Sequence, residues 1–191
     1  MMQKDYLNYL ISESKKFAKK HKLFDIVVFG SNVKGKLASN DLDIVLIFYE
    51  NPLKLRTEIS QDFKDLIKKS FNLDVKTVNL KELFEKDFLA RSGILLEGYS
   101  LVHNEEFSKR IGFLGYSIFS YDLKNLNHNT KTLFTYALIG RRGEKGILKQ
   151  LESVSLGRGS VKVPIKNSLI FEDFLKKWNT NYKKQDALIL E

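Results

Sequence analysis

Residues 24–49 constrain this chain more than any other stretch. FDIVVF at 24–29 and LDIVLIFY at 42–49 are short, unbroken apolar runs rich in β-branched residues, the pattern of strands buried on both faces. The first runs straight into Gly30-Ser31, and the second opens on Asp41 and Asp43. Residues i and i+2 of a strand share a face, with Cα atoms about 6–7 Å apart. Both carboxylates therefore look one way, and Leu42 and Ile44 look the other. Two hard oxygen donors on one face invite Mg²⁺, which suits sites that also hold phosphate. Two such ions about 3.5–4 Å apart can clamp the attacking and leaving oxygens of a phosphoryl displacement. Gly30 lets backbone approach an anion closely, and Ser31 adds a hydroxyl. One or two helical turns over 31–37, capped by Ser31, would aim N–H groups at a phosphate. Lys34 adds positive charge. A Gly-Ser turn alone, or an Asp-x-Asp alone, is an ordinary strand end. Their order between two buried strands is what gives the pattern weight. Asp74 opens the next expected strand, LDVKTVN at 73–79, and joins the first pair if the strands are neighbours.

The surrounding pattern is that of an α/β unit. Tyr6, Leu7, Leu10, Ile11, Ser14 and Phe17 keep helical spacing over 5–22, with a lysine-rich opposite face. Pro52 opens a helix over about 53–70, carrying Leu53, Leu55, Ile59, Phe63, Leu66 and Ile67 inward. Residues 80–96 read as helix, and Tyr99–Val102 as a short strand after Gly98. Beyond that the composition changes. Aromatics over 112–126 show no clear period. Helices are expected at 129–139 and 144–153, separated by the joint GRRGEKG. LGRGSVKVP at 156–164 leads into a short strand, and Phe171–Trp178 is a last helix. The expected domains are 1–104 and 105–191.

Composition removes whole classes. At 191 residues, 43% hydrophobic and 12% aromatic, the chain can bury a core and is not globally disordered. The absence of cysteine excludes disulfides, Cys-ligated zinc and a thiol nucleophile. No apolar run approaches the ~20 residues of a membrane span. MMQKDYLNYLISESKKF carries no apolar core of a signal peptide. The expectation is a cytoplasmic protein with no membrane partner. Net charge is +9, of which residues 105–191 hold +6, so nucleic acid or an anionic substrate is favoured electrostatically.

GSNVKGKLASNDLDIVLIF resembles the signature of the nucleotidyltransferases of the DNA polymerase β-like superfamily: Gly-Ser, a spacer, then Asp-hydrophobic-Asp-hydrophobic. Lys34-Gly35 stands where Arg-Gly is frequent, and Asn40 where Ser often precedes the first Asp. ILLEGYSLV at 94–102 resembles the end of the family's core domain, so the likeness covers about residues 1–104, in the minimal form of that domain. The resemblance implies an α/β (α+β) core with a short mixed sheet flanked by helices, followed here by a small basic C-terminal domain. It implies transfer of a nucleoside monophosphate from an NTP, ATP foremost, to an acceptor with release of pyrophosphate. Asp41, Asp43 and Asp74 would hold two Mg²⁺ (or Mn²⁺) ions, with Asp74 helping to deprotonate the acceptor hydroxyl. Gly30, Ser31 and Lys34 would hold the triphosphate. Lys34 in place of Arg keeps the charge but loses the bidentate fork.

The acceptor is open at this stage. Arg141, Arg142 and Arg158 lie in glycine-flanked basic loops suited to phosphate contact, which points to RNA such as tRNA. Solvated loops on a helical cap explain them equally well. Tyr116, Phe119 and Tyr121 could stack bases, but clustered aromatics more often fill a core. Three further readings stand beside RNA. One is an AMPylating antitoxin acting on a HEPN-type toxin, another a small-molecule acceptor, and the last a non-catalytic nucleic-acid binder, against which the three aspartates argue.

Overall fold

The computed structural model describes residues 2–30, 41–67 and 72–190. The chain divides into two compact units, Met1–Gly112 and Phe113–Glu191. The helical turns expected over 31–37 lie outside the described residues.

In the first unit α1 (Met2–His21) leads into β1 (Leu23–Phe29). After it come β2 (Asp41–Phe48), α2 (Leu53–Ile67) and β3 (Asn72–Asn79). Then follow α3 (Leu80–Leu83), α4 (Arg91–Glu97), β4 (Tyr99–Ser100), β5 (Glu105–Glu106) and α5 (Phe107–Arg110). The five strands form one mixed sheet in the order β3-β2-β1-β4-β5. β1 runs antiparallel to β2, whereas β3 runs parallel to it, because α2 carries the chain back across the sheet between them. This is the mixed α/β sheet with flanking helices that the sequence implied, with β5 as a fifth strand beyond the four expected.

β2 sits between β1 and β3 and is covered on both faces, which is why it reads as an unbroken apolar run. Ile44 through Phe48 are all fully buried. One face, with Ile26, Val28, Leu42, Ile44, Leu46, Phe48 and Val75, packs under α1 and α2. Phe17 of α1 meets Phe63 of α2 edge to face at 5.0 Å. The other face, with Val27, Phe29, Val45, Ile47 and Val78, packs against Leu83, Ile94 and Phe107.

The single helix expected over 80–96 is two short ones. Arg56 of α2 holds Glu82 through two bonds of 2.6 and 3.1 Å, and Glu82 closes a capping box with Asn79, so α3 begins where β3 ends. The chain then advances by tight turns, with the Phe84, Glu85, Phe88 and Arg91 N–H groups each bonding the carbonyl three residues back. Phe88 and Ala90 both pack on the sheet. Residues two apart point about 200° apart on a helix, so a continuous helix could not place both there.

The second unit begins with β6 (Phe113–Asp122), α6 (His128–Ile139) and α7 (Ile147–Gln150). β7 (Val154–Gly157), β8 (Ser160–Pro164), α8 (Ser168–Lys177) and β9 (Asn181–Leu190) complete it. Its antiparallel sheet runs β7-β8-β6-β9. Phe119, Val161 and Val163 pack with Phe134 and Leu138 of α6, Leu148 of α7, and Phe171 and Leu175 of α8. β6 showed no period in sequence because its inward positions are Gly115, Ser117 and Phe119, while Tyr116 and Ile118 point to the other face. Phe119 is fully buried and Tyr121 packs on Phe134, so both are core side chains. α7 is shorter than the expected 144–153. The Ser153 N–H turns back to the Leu148 carbonyl, and Glu152 takes φ 54, which stops the helix. No helix among the described residues is long and apolar enough to cross a membrane.

Two local constraints in the first unit have measurable consequences. A Cβ on Gly98 would come within 2.3 Å of the Ile94 carbonyl oxygen and 2.7 Å of Val27 Cγ1, so α4 can return to β1 only through glycine. Gly98→Ala is expected to destabilise the unit by about 1–3 kcal/mol in urea unfolding. Asp25 is fully buried. Its Oδ1 accepts from Ser100 Oγ and from the Ile26 N–H, both at 2.7 Å, while Oδ2 has no partner. Burial raises its pKa against the lowering effect of those bonds. A raised carboxyl contributes stability that is complete below its unfolded value, near 3.8, and is lost as pH rises through the folded one. Asp25→Asn should therefore gain stability relative to the wild-type chain as pH increases from 4 to 7, read as a growing difference in unfolding free energy.

Candidate active site

The site is built at one end of the first sheet, where β1 finishes and β2 and β3 begin. Phe29 pairs in register with Asp43, and Asp43 pairs in register with Asp74. Register partners on neighbouring strands point to the same face. Phe29, Asp43 and Asp74 thus form one row, on the face that also carries Val27, Val45 and Ile47. The apolar members of the face are sealed by Ile94 and Phe107, and the carboxylates stand where that cover ends. Asp43 is half-buried, whereas the Asp74 side chain is 60% exposed.

Gly30 follows β1 with φ 87, which L side chains rarely adopt. A Cβ there would lie 2.8 Å from Asp43 Oδ2. The backbone at Gly30 therefore lies directly against the Asp43 carboxylate, and any larger residue would push that carboxylate away.

Two carboxylates on facing strands, about 5 Å apart, repel by roughly 1–3 kcal/mol between fully aqueous and protein-surface dielectric. A cation between them removes that cost. The donor set is hard oxygen, on a rigid strand pair with a glycine cradle behind one member, and it fits Mg²⁺ or Mn²⁺. Among the described residues no group of three or more His, Asp or Glu is gathered closely enough to hold a metal ion. The third expected ligand, Asp41, is placed through its strand register opposite Asn72, and its carboxylate lies outside the described residues. Ser31 and Lys34 lie outside them too.

One charged group at this site was not singled out from the sequence. Lys76, two residues along β3 from Asp74, places Nζ 3.6 Å from Asp74 Oδ2 and 5.7 Å from the centre of the Phe29 ring. The signal was present in LDVKTV, since strand alternation puts Lys76 on the face of Asp74. The basic residues expected to meet an acceptor belong to the second unit. Arg141, Arg142 and Arg158 are all exposed, and the Arg141 guanidinium lies 4.2 Å from the centre of the Tyr136 ring.

Comparison with known proteins gives the row of aspartates a context. Residues 11–102 match the family described as nucleotidyltransferase domain. The chain is 32% identical over 128 residues to a protein named trigger factor from Mycoplasma mobile (strain ATCC 43663 / 163K / NCTC 11711), an overlap of 64% of this chain and 26% of that protein. The chain thus spans about a quarter of that relative's length. Among solved structures, a toxin–antitoxin complex with AMP-PNP is 21% identical, covering 45% of this chain and 67% of the other at a TM-score of 0.34. A complex of tri-AMPylated Shewanella oneidensis HEPN toxin with MNT antitoxin is 20% identical, covering 57% and 78% at 0.36. These overlaps are partial, and the assignment rests on the family match. Residues 11–102 thus resemble a nucleotidyltransferase domain, and it is over this segment that the likeness holds.

Proposed function

We propose that the protein is a metal-dependent nucleotidyltransferase that moves a nucleoside monophosphate from an NTP, ATP foremost, to an acceptor hydroxyl. The observation that carries this reading is the register pairing of Asp43 with Asp74 beside the Gly30 backbone, inside the matched domain. Asp41, Asp43 and Asp74 are the proposed ligands of two Mg²⁺ or Mn²⁺ ions. When bound, these ions would neutralise charge building on the phosphate oxygens and make the acceptor hydroxyl more acidic. The Gly30 backbone, the Ser31 hydroxyl and Lys34 orient the triphosphate. Asp74, the more exposed carboxylate, is the proposed group that takes the acceptor's proton. The acceptor oxygen forms a bond to the α-phosphorus, the bond from that phosphorus to the α–β bridging oxygen breaks, and pyrophosphate leaves with the electron pair. Phosphoryl transfer asks little covalent chemistry of the protein, so fixed positions and charge account for most of the rate.

For the acceptor we propose RNA, such as a tRNA, held through Arg141, Arg142 and Arg158. The support is electrostatic: residues 113–191 carry 13 Lys/Arg against 7 Asp/Glu, and all three arginines are exposed. The proposed location is the cytoplasm, which supplies NTP, Mg²⁺ and RNA together.

The test is a labelling assay with each α-³²P NTP, Mg²⁺ or Mn²⁺, total RNA and host lysate, resolved for RNA and for protein. Label on RNA supports the whole reading. Label on a protein supports the chemistry and replaces the acceptor. Asp43→Asn and Asp74→Asn should each lower label incorporation by at least about 10²–10³-fold while the circular dichroism spectrum is retained. Label undiminished in both variants would sink the assignment of these carboxylates. Gly30→Ala should lower it by about 10²-fold through displacement of the Asp43 carboxylate, again with the fold intact.

A further inference from the structure

The Lys76 ammonium occupies a particular place in the row of aspartates. β1 and β3 flank β2, so their backbones stand about 10 Å apart. Lys76 starts from β3, yet its Nζ is 5.7 Å from the ring of Phe29 on β1 and 3.6 Å from Asp74 Oδ2 on β3. Both distances hold only if the Lys76 and Phe29 side chains approach one another over β2. Phe29 and Asp74 are the two register partners of Asp43, so the ammonium, paired with Asp74 and near the Phe29 ring, is placed beside the row that contains Asp43. A surface lysine paired with a neighbouring aspartate could extend in any direction from a sheet edge. This one stands between Asp74 and the Phe29 ring, the two residues that flank Asp43 in register.

We propose that Lys76 is the resident counter-cation of the carboxylate pair, holding the position over Asp43 and Asp74 that a divalent ion takes, so that metal entry requires its ammonium to leave. The inference rests on the metal-site reading above and adds a positioning residue to it. Its chemistry is simple competition. Without metal, the ammonium offsets the Asp74 charge and so relieves the repulsion between the paired carboxylates. A dication at the same oxygens repels it. A triphosphate brought by the nucleotide offers it new oxygen partners within reach of its four-carbon stem. Metal alone then binds against Lys76, whereas metal arriving with a triphosphate does not, and the two ligands favour each other's binding through this side chain.

The probe is Mn²⁺ titrated against the full-length protein without nucleotide, read by the loss of free-ion electron paramagnetic resonance signal. The titration is repeated with a non-hydrolysable NTP analogue. Exposed ion pairs are worth little, so Lys76→Gln should tighten Mn²⁺ binding about two- to fivefold without nucleotide. It should also reduce the gain produced by the analogue. Lys76→Arg should behave like the wild-type chain, because charge rather than shape is what competes. Asp74→Asn combined with Lys76→Gln should bind no more tightly than Asp74→Asn alone. Unchanged or weaker binding in Lys76→Gln would overturn the proposal and leave an ordinary surface ion pair. The metal-site reading fails separately, if Asp43→Asn binds Mn²⁺ as the wild-type chain does. Retained far-ultraviolet circular dichroism in each variant keeps the comparison one of binding rather than folding.

Discussion

The backbone register of β2 against its two neighbours is the constraint on which the site depends. Hydrogen bonding to β1 places Phe29 opposite Asp43, and hydrogen bonding to β3 places Asp43 opposite Asp74. Because side chains alternate with a period of two, a slip of one residue on either side would send an aspartate to the face under α1 and α2. On β1 and β2 that face holds Ile26, Val28, Leu42, Ile44, Leu46 and Phe48, all apolar. The hydrophobic pattern of β2 therefore does two things together. It secures the core, and it fixes which carboxylates can meet.

The same register explains the electrostatic character of the site. Like charges are brought together at the open end of a sheet whose interior is sealed by Ile94, Leu83 and Phe107. The carboxylates remain in contact with water, and the Gly30 backbone lies against one of them. Such an arrangement stores repulsion that a cation relieves. On the proposed reading, Lys76 and a divalent ion are two answers to one electrostatic problem. Asp25, fully buried and partnered on one oxygen only, lies near the start of β1 and poses a separate problem, one of stability rather than chemistry.

Legibility differed between the two units for physical reasons. In the first unit β1, β2, α1 and α2 announced themselves because strand burial on both faces and helix burial on one leave strong, distinct periodicities. The break between α3 and α4 did not, because the Arg56–Glu82 pair and the shared packing of Phe88 and Ala90 bring together residues distant in sequence or awkward for a helix. In the second unit β6 was obscured by small residues at its inward positions. β9, with Lys, Lys, Gln and Asp in sequence, has little strand propensity of its own and is held by pairing along its whole length with β6.

The sequence by itself determined the chemistry on offer: aspartates at alternate positions opening a buried strand, a glycine before them, and another aspartate opening the next strand. Those are local facts of spacing, and a strand reads them out without help from the rest of the chain. Only the tertiary structure decided that Asp74 pairs in register with Asp43, that the backbone at Gly30 lies against the Asp43 carboxylate, and that the Lys76 ammonium comes within 5.7 Å of the Phe29 ring centre. Each of these depends on strand order and register. Order and register follow from how α2 returns the chain and how the two apolar faces are covered, and no local window of residues contains that information.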